Sequence, residues 1–248
     1  MSKLADAIRR SQRVESTPMG FGAARPTLKP SMLVGYFGPA SYAARARDAG
    51  AEFLLIDARG AALGASDAKS LREKAGELAL GAWTSVAGSD AANALHDAGV
   101  DFLVVDDSAP AAAMLNEELG YVLALPSQPD EAFLRSLEPL SLEALLLGDV
   151  PSPLTVAGQV ELSRAGALTR RPMVCDTPSS ASKDDLLCLR AAGVAGVMTN
   201  AAGLASLKET VASLPPRRAR RDERTVISLP RGSATPADND DDDDDLAV

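Results

Sequence analysis

Asp48-Ala49-Gly50-Ala51-Glu52-Phe53-Leu54-Leu55-Ile56-Asp57 returns 49 residues later as Asp97-Ala98-Gly99-Val100-Asp101-Phe102-Leu103-Val104-Val105-Asp106. Each phrase ends a helical stretch on glycine, which takes the left-handed conformation past a last helical turn without a Cβ clash. Each then passes directly into an apolar run, the pattern of a strand buried on both faces of a parallel sheet. A weaker third copy is Ala191-Ala192-Gly193-Val194-Ala195-Gly196-Val197-Met198-Thr199-Asn200, and Glu143 to Gly148 supplies a related strand without the preceding glycine. The even-numbered strands of a repeated βα unit therefore resemble one another.

Between these copies lie Leu33 to Gly38, Leu80 to Ser85, Tyr121 to Pro126 and Pro172 to Thr177, short apolar runs that serve as the odd-numbered strands. Eight strands are predicted, near 32–37, 52–57, 79–84, 101–106, 121–125, 143–147, 172–176 and 194–199, with helices filling the gaps. Gly50, Gly99, Gly120 and Gly193 mark four expected helix ends. Ala68, Leu71, Ala75 and Leu78 form a helical stripe suited to a barrel wall. Ser182 and Asp185 have the spacing of a capping box. Gly38-Pro39-Ala40-Ser41 is no dinucleotide fingerprint, which disfavours an open doubly wound sheet. The expected fold is an α/β (βα)8 TIM barrel over residues 31–216. An N-terminal helix and connector precede it over 1–30, and an Arg-rich, then Asp-rich tail over 217–248 is expected to be disordered.

The 248 residues are 46% hydrophobic and 24% charged, the composition of a globular chain whose few aromatics leave Ala, Leu and Val to fill the core. A net charge of −9 disfavours nucleic acid as a partner, since phosphate binding needs a clustered basic surface. No apolar run approaches a membrane span, no signal-peptide core is present, and Cys175 and Cys188 form neither a disulfide framework nor a zinc pattern. The expected location is the cytoplasm. A helix over residues 3–14 carries Leu4 and Ile8 on one side, to plug the barrel's lower end or to pack on a neighbouring subunit of a homo-oligomer.

Barrel enzymes take their chemistry from the C-terminal ends of several strands. Asp57, Asp106, Asp107, Asp149 and Asp176 recur there, the oxygen-rich setting that Mg2+ or Mn2+ prefers, with Asp106, Asp149 and Asp176 as candidate ligands. Asp after a strand also caps helices and turns loops, so a site requires convergence. Arg59 offers a planar fork for a substrate carboxylate, and Asp57 or Asp106 a general base. Thr199, Asn200 and Gly203 stand where the last loop of a barrel commonly binds phosphate. Lys69, Lys74, Lys183 and Lys208 fall on predicted helices, leaving Schiff-base chemistry without a nucleophile at a strand end. His96, the sole histidine, reads as a surface residue near a helix terminus, Cys175 as core, and Tyr36, Phe37 and Trp83 as the top packing layer.

From Leu33 to Asp57 the chain resembles the metal-dependent pyruvate aldolases of the 4-hydroxy-2-oxoheptanedioate aldolase type. The likeness runs from Gly38-Pro39-Ala40-Ser41 through a helix to the phrase ending at Ile56-Asp57. It implies a barrel, a divalent metal and a small oxo-acid. That family follows Ile-Asp with a Glu-His pair whose histidine is catalytic; Ala58 and Arg59 stand there in this chain. Three functional classes follow. The first is a metal-assisted lyase or isomerase acting on a small anionic or phosphorylated molecule. The second is a non-catalytic barrel whose partners bind the N-terminal helix or the charged tail, and the third is an FMN-binding oxidoreductase.

Overall fold

The computed structural model describes residues 2–12, 32–60, 62–86 and 88–215, and for Asp149 the backbone only. The expected connector over 17–30 and the expected tail over 217–248 lie outside the described residues. Eight parallel strands close into a barrel in chain order. They are β1 (Leu33–Gly38), β2 (Phe53–Ala58), β3 (Ala79–Thr84), β4 (Phe102–Val105), β5 (Gly120–Ala124), β6 (Ala144–Asp149), β7 (Met173–Asp176) and β8 (Val194–Thr199). β8 returns to pair with β1. Every strand lies within two residues of its sequence-based bounds.

Side chains alternate along a strand, so each strand contributes to two apolar layers. One cluster draws on all eight strands and on no helix except the first: Leu33, Phe53, Ala79, Phe102, Val122, Leu146, Val174 and Met198 belong to it, and it fills the interior. Phe53 and Phe102 lie across Gly35 and Gly81, where a Cβ would strike the rings, so large and small residues interlock around the axis. Residues of opposite parity, such as Leu54, Leu103 and Cys175, face the outer helices.

The helices are α1 (Lys3–Gln12), α2 (Ala43–Asp48), α3 (Ala65–Ala75), α4 (Ser89–Asp97), α5 (Glu131–Ser136), α6 (Val156–Thr169), α7 (Lys183–Ala191) and α8 (Leu204–Ala212). The expected stripe on α3 is buried at Ala68, Leu71 and Ala75. Ser182 and Asp185 form the expected capping box on α7. Between β4 and β5 the expected helix is reduced to a four-residue 3-10 turn, Ala111–Met114. Gly50, Gly99 and Gly193 have φ of 87°, 95° and 102°, the left-handed exits that the repeated phrase requires. Gly120 is different, because it opens β5 and caps no helix. A Cβ there would collide with Glu143 and lie 2.7 Å from Ser2, so close packing explains this glycine.

The repeated phrase also carries an acid at each strand's start. Glu52 donates its N–H to the Val34 carbonyl (2.8 Å) and accepts the Val34 N–H on its carboxylate (2.8 Å). Asp101 does the same to Leu80, at 2.8 Å in both directions. α1 closes this N-terminal face: Leu4 and Ile8 are buried within the interior cluster, and the Ser2 N–H donates to Glu143 at 2.9 Å. The amphipathic face of α1 is therefore spent on the barrel's lower end.

Candidate functional site

Alternation places Phe37, Asp57, Trp83, Asp106 and Asp176 above the interior cluster, at or just beyond the C-terminal ends of β1, β2, β3, β4 and β7. Asp57 and Trp83 are register partners on neighbouring strands. Arg59, two residues beyond Asp57, folds back over them. Its Nε donates to Asp57 Oδ1 at 2.9 Å and its Nη2 to Oδ2 at 2.7 Å, a two-pronged pair. The guanidinium carbon lies 4.3 Å from the centre of the Trp83 ring and 5.7 Å from that of Phe37, within cation–π range of both. The two rings are 6.1 Å apart and tilted by 34°.

The side-chain bond from Arg59 holds the Asp57 carboxyl below the usual aspartate range, against a smaller opposing effect of burial. The Arg59 pKa is raised, first by its bond to Asp57, with the charge of Asp176 acting in the same direction from across the mouth. A guanidinium paired with Asp57 thus lies on an aromatic shelf at the β1–β3 side of this face.

The other expected site residues are placed as follows. Asp106 turns to its own loop, accepting the Ser108 N–H at 3.0 Å and the Ser108 hydroxyl at 2.6 Å. Among the described residues no group of three or more His, Cys, Asp or Glu side chains is placed to hold a metal ion. Thr199 is buried, and Asn200 Oδ1 accepts the N–H groups of Ala202 and Gly203 at 3.0 Å each. Gly203 abuts Ser179, so the loops after β7 and β8 pack closely. His96 lies near Asp97 and Glu118 at the end of α4. Cys175 is fully buried against the Thr177 hydroxyl, and burial pushes its thiol up to about 12, which makes it inert as a nucleophile. Tyr36 points away from the mouth and donates to the Pro39 carbonyl at 2.8 Å.

Two features escaped the sequence reading. A cavity of about 460 Å³ adjoins Asp57 between the loops after β1 and β2 and α3, where Asp67, Ser70 and Lys74 line it. These are helix residues, and no periodicity distinguishes them from a solvated face. The second feature is Asp185, which caps α7 and also reaches the loop after β6, accepting from Ser152 Oγ at 2.7 Å and from the Leu154 N–H at 2.9 Å. These bonds, that from Ser152 foremost, lower its pKa to about 2. The capping spacing was legible in sequence, whereas the partners more than 30 residues away were not.

No family model matches the chain, and no curated protein does. Solved structures do match. A mutant tryptophan synthase alpha-subunit from Pyrococcus furiosus superposes with a TM-score of 0.58 at 15% identity, over 76% of this chain and 99% of that one. Phosphoribosyl anthranilate isomerase from Thermus thermophilus gives 0.54 at 15%, over 74% and 100%. 3-Keto-L-gulonate-6-phosphate decarboxylase from Vibrio cholerae gives 0.59 at 12%, over 75% and 99%. These barrels are not pyruvate aldolases, and they overturn the resemblance drawn from residues 33–57. The physical reason is in the repeat: the phrase that carried it supplies a helix exit, a rim clamp and a buried strand, and Gly99 to Asp106 repeats it within this same chain. Among the described residues no helix is long and apolar enough to cross a membrane. At these identities the likeness establishes the fold alone: the described residues form a single eight-stranded parallel α/β barrel.

Proposed function

We propose that the barrel is a proton-transfer enzyme of the lyase or isomerase class, acting on a small molecule whose carboxylate or phosphate binds Arg59. The observation that carries this reading is the two-pronged Arg59–Asp57 pair on the Phe37–Trp83 shelf. A ligand carboxylate, or two oxygens of a phosphate, can meet the same fork and take the place of the Asp57 carboxylate on it. The exchange keeps Arg59 paired and releases Asp57 from the bonds that depress its pKa, so the freed carboxylate is a stronger base. Asp57 then takes a proton from a carbon next to the substrate's carbonyl. The electron pair left behind is either reprotonated at a neighbouring atom, giving isomerisation, or expels a leaving group, giving lysis.

The cavity of about 460 Å³ beside Asp57 is within the size range of small-molecule sites. Asp106 is the reserve acid–base group on the same rim. For a phosphorylated substrate, the loop from Asn200 to Gly203 forms the second anchor, a phosphate oxygen replacing Asn200 Oδ1 on the N–H groups of Ala202 and Gly203. Two of the fold neighbours have phosphorylated molecules in their names, an isomerase and a decarboxylase.

Trp83 is the sole tryptophan, so its fluorescence reports any displacement of Arg59. Titration with small oxo-acids and sugar phosphates is expected to change the emission of the wild type and not of Arg59→Ala. In D2O, NMR is expected to show deuterium washed into a binding member of that panel, with at least a hundredfold loss in Asp57→Asn. A panel that neither changes the emission nor exchanges deuterium would overturn the proposal.

A further inference from the structure

Among the described α-helices only α6 turns large apolar side chains to solvent: Val156 is 79% exposed and Val160 58%. With the exposed Ser163 and Ala167 they follow a spacing of four, three and four residues, which places all of them on one face as an uncharged ridge. Exposed Leu140 extends the ridge, since its carbonyl accepts from Arg171 Nη2, just past the end of α6, at 3.0 Å. A solvated helix face is ordinarily polar, and a contiguous apolar one marks an interaction surface. Beside the ridge lies a hollow of about 900 Å³. α5 has only six residues, and the barrel wall it leaves uncovered, at Leu125 and Leu147, lines this hollow together with Leu134, Leu154 and Leu162. The same helix therefore carries a ridge and a hollow side by side. A two-fold axis makes that arrangement self-complementary, because the ridge of each copy can enter the hollow of the other. We infer that a second copy of this chain covers this face, with the two α6 helices antiparallel.

The charges on α5, α6 and their ends suit that occupant. Glu131 and Arg135 pair within α5 at 2.9 Å, and Glu161 and Arg164 within α6 at 2.7 Å. The others are Asp130 at the upper end, and Arg170 and Arg171 with Glu138 at the lower, so one end carries −1 and the other +1. Antiparallel α6 helices set each basic end over the other's acidic end, which lets two copies of a chain of net charge −9 meet there without like charges in contact. The area fits as well. By its 14 residues α6 is about 21 Å long, and ridge and hollow together are about two helix diameters wide, roughly 400 Å² in plan. Accessible surface exceeds the plan area, so two such faces reach about the 1,000 Å² in total that a specific interface needs. The dimer is accordingly a weak one, with a Kd in the micromolar range.

Sedimentation velocity of the full chain, from low to high micromolar concentration at fixed ionic strength, tests this. The weight-average mass is expected to rise from that of one chain to that of two. Val156→Lys and Val160→Lys change exposed positions and leave the core intact; each is expected to weaken association tenfold or more. Tyr42→Lys, at an exposed aromatic beside β1, is the control and is expected to leave association unchanged. Anilinonaphthalene sulfonate, an apolar probe that fills the hollow, is expected to shift dimer to monomer. The mass of one chain at every concentration overturns the inference, and a mass that climbs past two chains overturns the closed pair. Association that survives both lysine substitutions on α6, or that Tyr42→Lys weakens equally, places the contact elsewhere and overturns it too. Probe bound by a chain that never associates would make the hollow a small-molecule site instead of an interface.

Discussion

At the N-terminal rim the acids of the repeated phrase, Glu52 and Asp101, make the same pair of bonds to Val34 and Leu80. At the C-terminal rim the acids that close the same phrase, Asp57 and Asp106, do different things: one holds Arg59 and the other Ser108. The lower partners are backbone groups of the adjacent strand, fixed by sheet register and therefore repeated whenever the strand is. The upper partners are side chains and loop atoms beyond the strands, free to differ from unit to unit. One stretch of sequence thus carries a structural acid at its start and an acid available for chemistry at its end, the division expected of a barrel's two faces. Even the lower acids are tuned by surroundings, since burial raises the pKa of Glu52 while its bond from Val34 and the charge of Lys208 oppose the rise.

Asp185 breaks the simple division, because it lies toward the C-terminal face yet is structural. Asp185→Ala removes the carboxylate that accepts from Ser152, Leu154 and Ser182 together and is expected to destabilise the protein by about 3–4 kcal/mol in urea unfolding. Its folded pKa, about 2, is below the unfolded value. Its contribution is therefore fully present above the unfolded pKa of about 4 and is lost as pH falls through the folded pKa. The wild type and the variant should accordingly converge in stability in acid. A gap that persists unchanged at pH 2 would assign the loss to packing rather than to the carboxylate.

The comparison of rims is sharpened by Asp101→Ala against Asp106→Ala. Asp101 accepts from the Leu80 N–H and from Arg72 Nη1, both at 2.8 Å, with its side chain only 16% exposed. Its loss is expected to cost about 2–3 kcal/mol. Asp106, exposed and, among the described residues, bonded only within its own turn, is expected to cost less than about 1 kcal/mol. Equal losses would remove the distinction between the two faces.

The repeat made the barrel legible, since a helix exit followed by a buried strand is a local signal, and eight buried strands leave few topologies. The short link from β4 to β5 was misread because Ala111 to Met114 has helix-forming composition, while Pro110 and the early start of β5 leave room for one turn only. The rim inventory was legible too, as Asp57, Arg59, Trp83 and Asp176 sit at strand ends by their spacing. What spacing cannot convey is rotamer choice. Arg59 could extend into solvent or fold back, and only the joint presence of Asp57 below and Trp83 beside it selects the second.

Asp57→Asn gives a similarly small change in stability and the most specific reading of the upper rim. The pair it breaks is partly solvated, with Arg59 50% and Asp57 30% exposed, so the loss should be under about 1 kcal/mol. In the resting protein Asp57 competes with any anion for the Arg59 fork. Weakening that competitor by up to about 1 kcal/mol should tighten anion binding by as much as about fivefold, read by Trp83 emission, while proton transfer is lost. Tighter binding with lost turnover is the signature of a carboxylate that occupies the ligand's place until it is needed as a base. Weaker binding in Asp57→Asn would mean that Asp57 positions Arg59 for the ligand, and the exchange would then have to be abandoned.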